Sequence, residues 1–523
     1  MLKKYKNPII LCDYSDPDVI RCGDDYFMVA SSFNFTPGLP ILASKNLVDW
    51  KLVNYAAENI PIERFMYPQN AQGIWAPSFS FHNGKYYIIF ATPDEGIFIT
   101  ESENPGKNWS PLKKIHSSKG IIDPFLFWDD DGKSYIIHAY AKSRCGFNSK
   151  LGILDFDEEN FCTKNEDRII FDGTITQPTI EGPKVYKRNG FYYIFAPAGG
   201  VSDGWQAVLR SKNIEGPWEE KVVLHEGSSE INGPHQGALV TTSFGEDWFI
   251  HFQERGIYGR VTFLEPVKWK NDWPLIGTAV KNGIAPGEPV LKYKKPKTKN
   301  VLKAETFATQ TTRAFYGADL NWQWNANHDA NFGKIYGAAN NDIQSFKLNT
   351  LNISGYSQKT FPSLWNSANV LTQKIRHSAF YFSTNIELTN LPCGSRAGVI
   401  FSGEEYASVA IEKTLDGYEL IYLKSENRDG TDDVRFEREI QRIRLPLTSS
   451  FPAVKVRMDF IPFSDFSGAV QFTVKTGFLS TSFKWKSEFF STENAHWVGG
   501  RFGVYAIGNS AGSVQFYNLK IRF

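Results

Sequence analysis

Five segments within the first 250 residues share one form: a polar or glycine turn, two large residues that are usually both aromatic, then alternating apolar residues. They are Gly23-Asp24-Asp25-Tyr26-Phe27-Met28-Val29, Asn83-Gly84-Lys85-Tyr86-Tyr87-Ile88-Ile89, Asp131-Gly132-Lys133-Ser134-Tyr135-Ile136-Ile137, Asn189-Gly190-Phe191-Tyr192-Tyr193-Ile194-Phe195 and Gly245-Glu246-Asp247-Trp248-Phe249-Ile250. With Tyr26, Tyr86, Tyr135, Tyr192 and Trp248 taken as equivalent, the intervals are 60, 49, 57 and 56 residues. A turn followed by a β-rich run reads as the middle of a hairpin. A weaker echo follows three of the segments, where Ser44 to Trp50, Ser102 to Trp109 and Ser211 to Trp218 each run from a serine to a tryptophan. A hairpin plus an outer strand in about 55 residues is the size of one four-stranded propeller blade. Five units over residues 5–285 therefore predict a five-bladed β-propeller. A generic β-sandwich could hold similar hairpins, but nothing in it demands five copies in register.

Around residues 286–300 the pattern stops. Pro286, Pro289 and Pro296 surround Lys292, Lys294, Lys295, Lys297 and Lys299, which reads as a solvated connector rather than a polyanion site. Beyond it, alternating stretches at 379–388, 407–411, 419–424, 469–476 and 514–523 are separated by turns such as Leu415-Asp416-Gly417. They predict a second all-β domain, a two-sheet sandwich of jelly-roll or concanavalin-like type. The expected organisation is a propeller over 1–290, a Lys/Pro linker over 291–302 and a β-sandwich over 303–523. Composition agrees, since 41 Phe, 23 Tyr and 14 Trp beside 42 Gly and 26 Pro favour strands joined by turns. A net charge of +1 supplies no field for nucleic acid or an anionic membrane. No apolar run approaches the roughly 20 residues of a membrane-spanning helix. The five cysteines form no C-x-x-C pair and are odd in number, against both a disulfide framework and a zinc ribbon. The apolar stretch behind Lys3, Lys4 and Lys6 covers only residues 9–12, too short for a signal-peptide core, so a cytoplasmic location is expected.

In a propeller the innermost strand of every blade lines the axis, and residues at its start converge on one end of the channel. Those starts hold Asp16-Pro17, Trp75-Ala76-Pro77, Asp123-Pro124, Glu181-Gly182-Pro183 and His235-Gln236-Gly237. Taken singly, Asp16 could cap a turn, Asp123 could pair with an arginine, and Glu181 could be a surface acid. Equivalent placement in separate blades points instead to a shared site. Paired carboxyls in different environments are how proteins perform acid and base chemistry on glycosidic bonds. His235 reads equally well as a satisfied core histidine or as part of that site.

These residues carry a resemblance. Asn7-Pro8 through Asp16-Pro17-Asp18, Gly23-Asp24-Asp25-Tyr26, Gly73-Ile74-Trp75-Ala76-Pro77, Ile122-Asp123-Pro124, Ile180-Glu181-Gly182-Pro183 and Gly259-Arg260-Val261 resemble glycoside hydrolase family 43. The second half resembles the sandwich domain appended in its β-xylosidase branch, notably at Ala368 to Gln373 and Ala397-Gly398. The resemblance implies inverting hydrolysis, with Asp16 as general base, Glu181 as general acid, and Asp123 orienting Glu181 and raising its pKa. An inverting pair stands roughly 6.5–9.5 Å apart to admit a water. The resemblance further implies that Arg260 binds the terminal sugar and that Phe33 and Trp75 form an apolar wall for its ring. It places His235 near an axial cation, often calcium, reached through water. The chemistry itself needs no cofactor.

The expected substrate is a xylo-oligosaccharide or an arabinose-substituted oligosaccharide. The expected reaction is exo-acting release of D-xylose, with α-L-arabinofuranosyl groups as a second substrate. Rival readings are an arabinofuranosidase, a sugar-binding propeller without activity, and the retaining invertase–levansucrase type. In that last type an Arg precedes the second Asp-Pro and an Asn the first, where this chain has Ile122 and Ser15. Trp322, Trp324 and Trp365 read either as sugar platforms or, preferably, as aromatics that pack the sandwich or close one side of the pocket. Neither a nucleic-acid nor a membrane partner is expected, and association into homo-oligomers is left open.

Overall fold

Each repeat unit folds as an antiparallel sheet, and the turn residues account for the tight hairpins. Asn83 (φ 48°) with Gly84 (φ 81°), and Asn189 (φ 50°) with Gly190 (φ 73°), are left-handed at both central positions, as a two-residue hairpin of the right twist requires. The computed structural model describes residues 4–231, 233–281, 283–298, 320–337, 343–351, 363–403, 405–427, 435–447, 452–465, 467–476, 479–487 and 497–522. The end of the expected linker and the start of the second domain, 299–319, lie outside the described residues.

Blade one comprises Asp18–Cys22, Asp25–Val29, Gly38–Ser44 and Trp50–Ala57, paired in that order. Blades two, three, four and five begin with inner strands Trp75–His82, Ile121–Trp128, Lys184–Arg188 and His235–Thr241. The inner strand of blade five packs beside that of blade one, closing the ring. The serine–tryptophan echo is the turn into the outer strand: Ser44, Ser102 and Ser211 each accept the backbone N–H two residues on, at 3.1 Å in every case.

The paired large residues have a packing cause. Neighbours on a strand point to opposite faces, and every second strand is sandwiched between two blades. Tyr86 and Ile88 therefore enter the core shared with blade one, while Tyr87 and Ile89 enter the core shared with blade three. The structure shifts two of the equivalences by one residue. Tyr135 and Trp248 face the following blade, as Tyr87 does, so Ser134 and Asp247 are the true counterparts of Tyr86. A one-residue slip exchanges faces, which aromatic identity alone does not reveal.

The ring is fastened from outside by the N-terminal segment. Lys4–Lys6 pairs with Lys292–Lys294, so part of the Lys/Pro stretch is a strand, and Ile9 N–H bonds Thr262 O at 2.9 Å. Asn7 Nδ2 donates to Leu264 O, Glu265 Oε1 and Val290 O, and Asn7 Oδ1 accepts from Leu264 N–H. All five cysteines are free thiols.

Among the described residues, the second half forms two seven-stranded sheets packed face to face. Strand Ala453–Pro462 alternates buried and exposed residues and sends Val454, Val456, Met458 and Phe460 into the core between the sheets. The turn at Leu415-Asp416-Gly417 joins Tyr406–Thr414 to Gly417–Asn427 as a hairpin. Trp322 and Trp324 are buried in the main sandwich core and Trp365 in a second cluster beside Tyr406, so none is an exposed platform.

The sandwich lies directly on the propeller. Trp324 N–H donates to Thr36 O at 2.7 Å, Asn327 Nδ2 to Ile60 O at 2.6 Å, and Arg255 Nε to Asp465 at 2.7 Å. At Gly499 the backbones approach so closely that a Cβ would come within 2.7 Å of the Gly259 nitrogen. That contact abuts the residue preceding Arg260.

Candidate active site

The blade starts converge as expected; three of them pair irregularly, and two of these, at Asp123 and Gln236, also have unusual backbone. The ladder shifts register between Trp75 and Ser78, between Ile122 and Phe125, and between His235 and Gly237. Asp16 (φ 55°), Phe33 (φ 52°), Asp123 (φ 54°) and Gln236 (φ 37°) are left-handed although none is glycine. Such backbone costs on the order of 1–3 kcal/mol per residue and gathers where side chains must be aimed at a site. Gly182 (φ 56°) needs to be glycine, because a Cβ there would also meet the Gln236 side chain at 2.7 Å.

Asp16 is buried on the first turn into blade one. Its Oδ2 accepts a short hydrogen bond from Ser31 Oγ at 2.5 Å, and Oδ1 lies 3.7 Å from Arg260 Nη1. Burial raises its pKa, opposed first by Arg260. Asp123 Oδ2 accepts the Gly182 N–H at 2.9 Å, linking blade three to the turn that carries Glu181. Glu181 is more open, with 33% of its side chain exposed.

Burial, then Asp123, then Asp16 push the Glu181 pKa up to about 8. Burial and Asp16 raise that of Asp123 to about 7. Asp123 has a backbone donor that favours its anion, so Glu181 is the group of the two that keeps its proton longer. His235 Nε2 lies 3.3 Å from Glu181 Oε1 without hydrogen-bond geometry. Burial and Arg260 lower its pKa to about 3, so the imidazole is neutral and the contact is not an ion pair.

Arg260 lies over the Phe252 ring at 4.9 Å, and its backbone N–H is fixed by Asp13 Oδ1 at 3.0 Å. Its guanidinium approaches Asp16. Phe33 is buried in a small cluster with Phe35 and Val498, against which Trp75 and Trp497 pack. Trp75 stands edge-on to Trp497 with centroids 5.1 Å apart. Trp497 and Val498 belong to the sandwich and reach the site across more than 400 residues of chain. The blade-start comparison had no means of finding them, nor Ser31. Lys184, another residue missed, directly follows Glu181-Gly182-Pro183 and is buried behind the carboxylates. Among the described residues no three His, Cys, Asp or Glu side chains gather as a metal site.

The family model for glycosyl hydrolases family 43 matches residues 5–274, and that for the beta xylosidase C-terminal concanavalin A-like domain matches 312–520. The chain is similar to a putative beta-xylosidase of Xylanibacter ruminicola, 37% identical over 419 residues, which span 78% of this chain and 73% of the relative. It is also similar to a non-reducing end alpha-L-arabinofuranosidase of Bacteroides ovatus, 31% identical over 303 residues, 54% of each chain. In fold it resembles the crystal structure of xylan beta-1,4-xylosidase from Bacillus halodurans, with TM-score 0.78, 21% identity, and coverage of 99% of this chain and 100% of that one. With its propeller matched almost from end to end and its sandwich matched as well, this chain belongs to glycosyl hydrolases family 43 and is a glycosidase acting on oligosaccharides.

Proposed function

We propose that the chain is an inverting, exo-acting β-xylosidase that also accepts α-L-arabinofuranosyl groups, with Asp16 as base and Glu181 as acid. The observation that carries this is the unequal treatment of the carboxyls around one axis. A general acid must hold its proton near neutral pH, and Glu181 does so because its half-buried carboxyl is desolvated and stands beside two other carboxyls. The base must be an anion, and Asp16 has the Arg260 guanidinium and the Ser31 hydroxyl to support its charge.

In the proposed reaction Asp16 takes a proton from water as that water attacks the anomeric carbon. Glu181 protonates the departing glycosidic oxygen, and one displacement inverts the configuration. Asp123 orients Glu181 through the Gly182 turn and holds up its pKa. Phe33 and Trp75 provide the apolar wall for the sugar ring. Among the described residues, the buried nitrogens Arg260 Nε and His235 Nδ1 and Nε2 have no hydrogen-bond partner within the protein. Buried donors without partners are rare, and sugar hydroxyls are groups of the right kind to satisfy them.

Exo action is supported by Trp497 and Val498, which bring the sandwich domain against the aromatic wall beside the site. Calcium takes six to eight oxygen ligands, and His235 offers one neutral imidazole, so a cation there would rest mostly on water. No step is assigned to it.

The test is kcat/KM on aryl β-D-xyloside and aryl α-L-arabinofuranoside, with the anomer of the first-formed sugar followed by NMR. Preference for the xyloside with α-xylose released first is the expected result. Preference for the arabinofuranoside would keep the chemistry and change the substrate, whereas release of β-xylose first would overturn the inverting assignment. Turnover of neither would favour an endo-acting or purely sugar-binding propeller.

A further inference from the structure

A buried ion pair stands on the propeller axis apart from the three carboxyls. Lys184 and Asp18 are 1% and 2% exposed, with Nζ 3.2 Å from Asp18 Oδ2. The ammonium also donates to Pro77 O at 3.2 Å, and Asp18 accepts the N–H groups of Phe79 at 2.8 Å and Val19 at 2.9 Å. Asp18 lines a cavity of about 400 Å³ in the far half of the channel, while Pro77 lies at the catalytic end. The pair thus sits where the two halves meet. Buried ion pairs add little net stability over apolar side chains of similar volume, so its presence on the axis points to a role beyond folding.

The connectivity suggests which role. Asp18 follows Asp16 by two residues. Lys184 follows Glu181 by three and Gly182, the donor to Asp123, by two. One contact therefore ties the turn carrying the base to the turn carrying the acid. We propose that Lys184 is a positioning residue of this site: clamped by Asp18 and Pro77, it fixes a positive charge behind the turn of the base and holds the blade-one and blade-four turns at a fixed separation.

This rests on reading Asp16 as the base. The charges that face Asp16 are Arg260 from blade five, Lys184 from blade four, Asp13 from the N-terminal segment, and Asp123 and Glu181 across the axis. Lys184 favours the anions of Asp16 and Asp123, while the cation acting on Glu181 is Arg260. The ammonium is thus selective, supporting the base and its neighbour and leaving the acid protonated.

The test is the pH profile of kcat/KM for Lys184→Met, Asp18→Asn and the double variant, on the good-leaving-group aryl glycoside that the wild type turns over. Such a substrate depends least on Glu181. Loss of a nearby cation should move the acid-side midpoint up by about one pH unit in Lys184→Met, lowering the acidic limb about tenfold, and by a smaller amount in the double variant, which also loses the Asp18 anion. Asp18→Asn retains the ammonium and should leave the midpoint where it is or lower it. The double variant buries no lone charge, so it carries the test if the single lysine variant fails to fold. An unmoved midpoint in the folded double variant, or an equal rise in Asp18→Asn, would reduce the pair to a structural contact and overturn the proposal. Asp16→Asn is the control: if it keeps wild-type activity, the assignment of the base falls instead.

Discussion

Asp123→Asn isolates the electrostatic part of the preparation of Glu181, the proposed acid. Glu181 titrates near 8 where an ordinary glutamate titrates at 4.5, with burial as the largest cause and Asp123 as the second. The amide keeps the shape of Asp123 and an oxygen for the Gly182 N–H but removes the charge. A like charge at close range is worth about one to two pH units, while burial and Asp16 remain. The Glu181 midpoint should therefore fall to about 6–7 and not return to 4.5. At pH 8 the protonated fraction would drop from about one half to a few per cent, a loss of about tenfold in kcat/KM from protonation alone. At pH 5 both forms hold the proton, and the two enzymes should converge on whatever orientation alone contributes. The assay is kcat/KM against pH on a glycoside with a poor leaving group, where protonation of the departing oxygen matters most. A basic limb that stays near 8 in the variant would refute the view that Asp123 holds up the pKa of Glu181. Collapse to 4.5 would show that burial was credited with too much.

Glu181→Ala should cost about 10²–10⁴-fold on substrates with poor leaving groups and far less on activated aryl glycosides; equal, modest losses on both would remove it as the acid. Glu181 and Asp123 have folded-state pKa values of about 8 and 7, above their ordinary 4.5 and 3.8, so the folded protein binds more protons than the unfolded chain between about pH 4 and 8. These two groups should thus lower stability as pH rises through that window, and Glu181→Gln should melt above wild type at pH 8 with the gap closing by pH 4.5; a gap of opposite sign would contradict the shift. Asn7→Ala removes three donated bonds and one accepted bond at the blade-five seam and leaves buried oxygens unpaired. It should cost about 2–4 kcal/mol in denaturant unfolding, with kcat unchanged in the folded fraction.

The three acids were legible in the sequence because the repeat supplies a ruler. Once five hairpins are aligned, the residues ahead of each inner strand must meet on the axis, and chain order alone nominates Asp16, Asp123 and Glu181. The same ruler was too coarse for facing: Tyr135 and Trp248 were matched to Tyr86, although their side chains enter the opposite inter-blade core. Pairing by aromatic identity cannot see a one-residue offset, while the period-two geometry of a strand obeys it strictly. Trp322, Trp324 and Trp365 could be read as platforms or as core, because a tryptophan's composition is the same in both settings and only burial separates them.

The sequence by itself determined the architecture, two β domains of known order, since that follows from local period and spacing; the same spacing nominated the three carboxyls, and the family resemblance supplied the roles proposed for them. Tertiary structure alone decided which neighbours tune that set. Arg260 turns to Asp16, Gly182 donates to Asp123, Trp497 and Val498 arrive from the sandwich, and Lys184 meets Asp18 from the opposite side of the axis. The physical reason is that pKa and pocket shape depend on charges and surfaces within a few ångströms, and around a propeller axis those come from blades far apart in the chain.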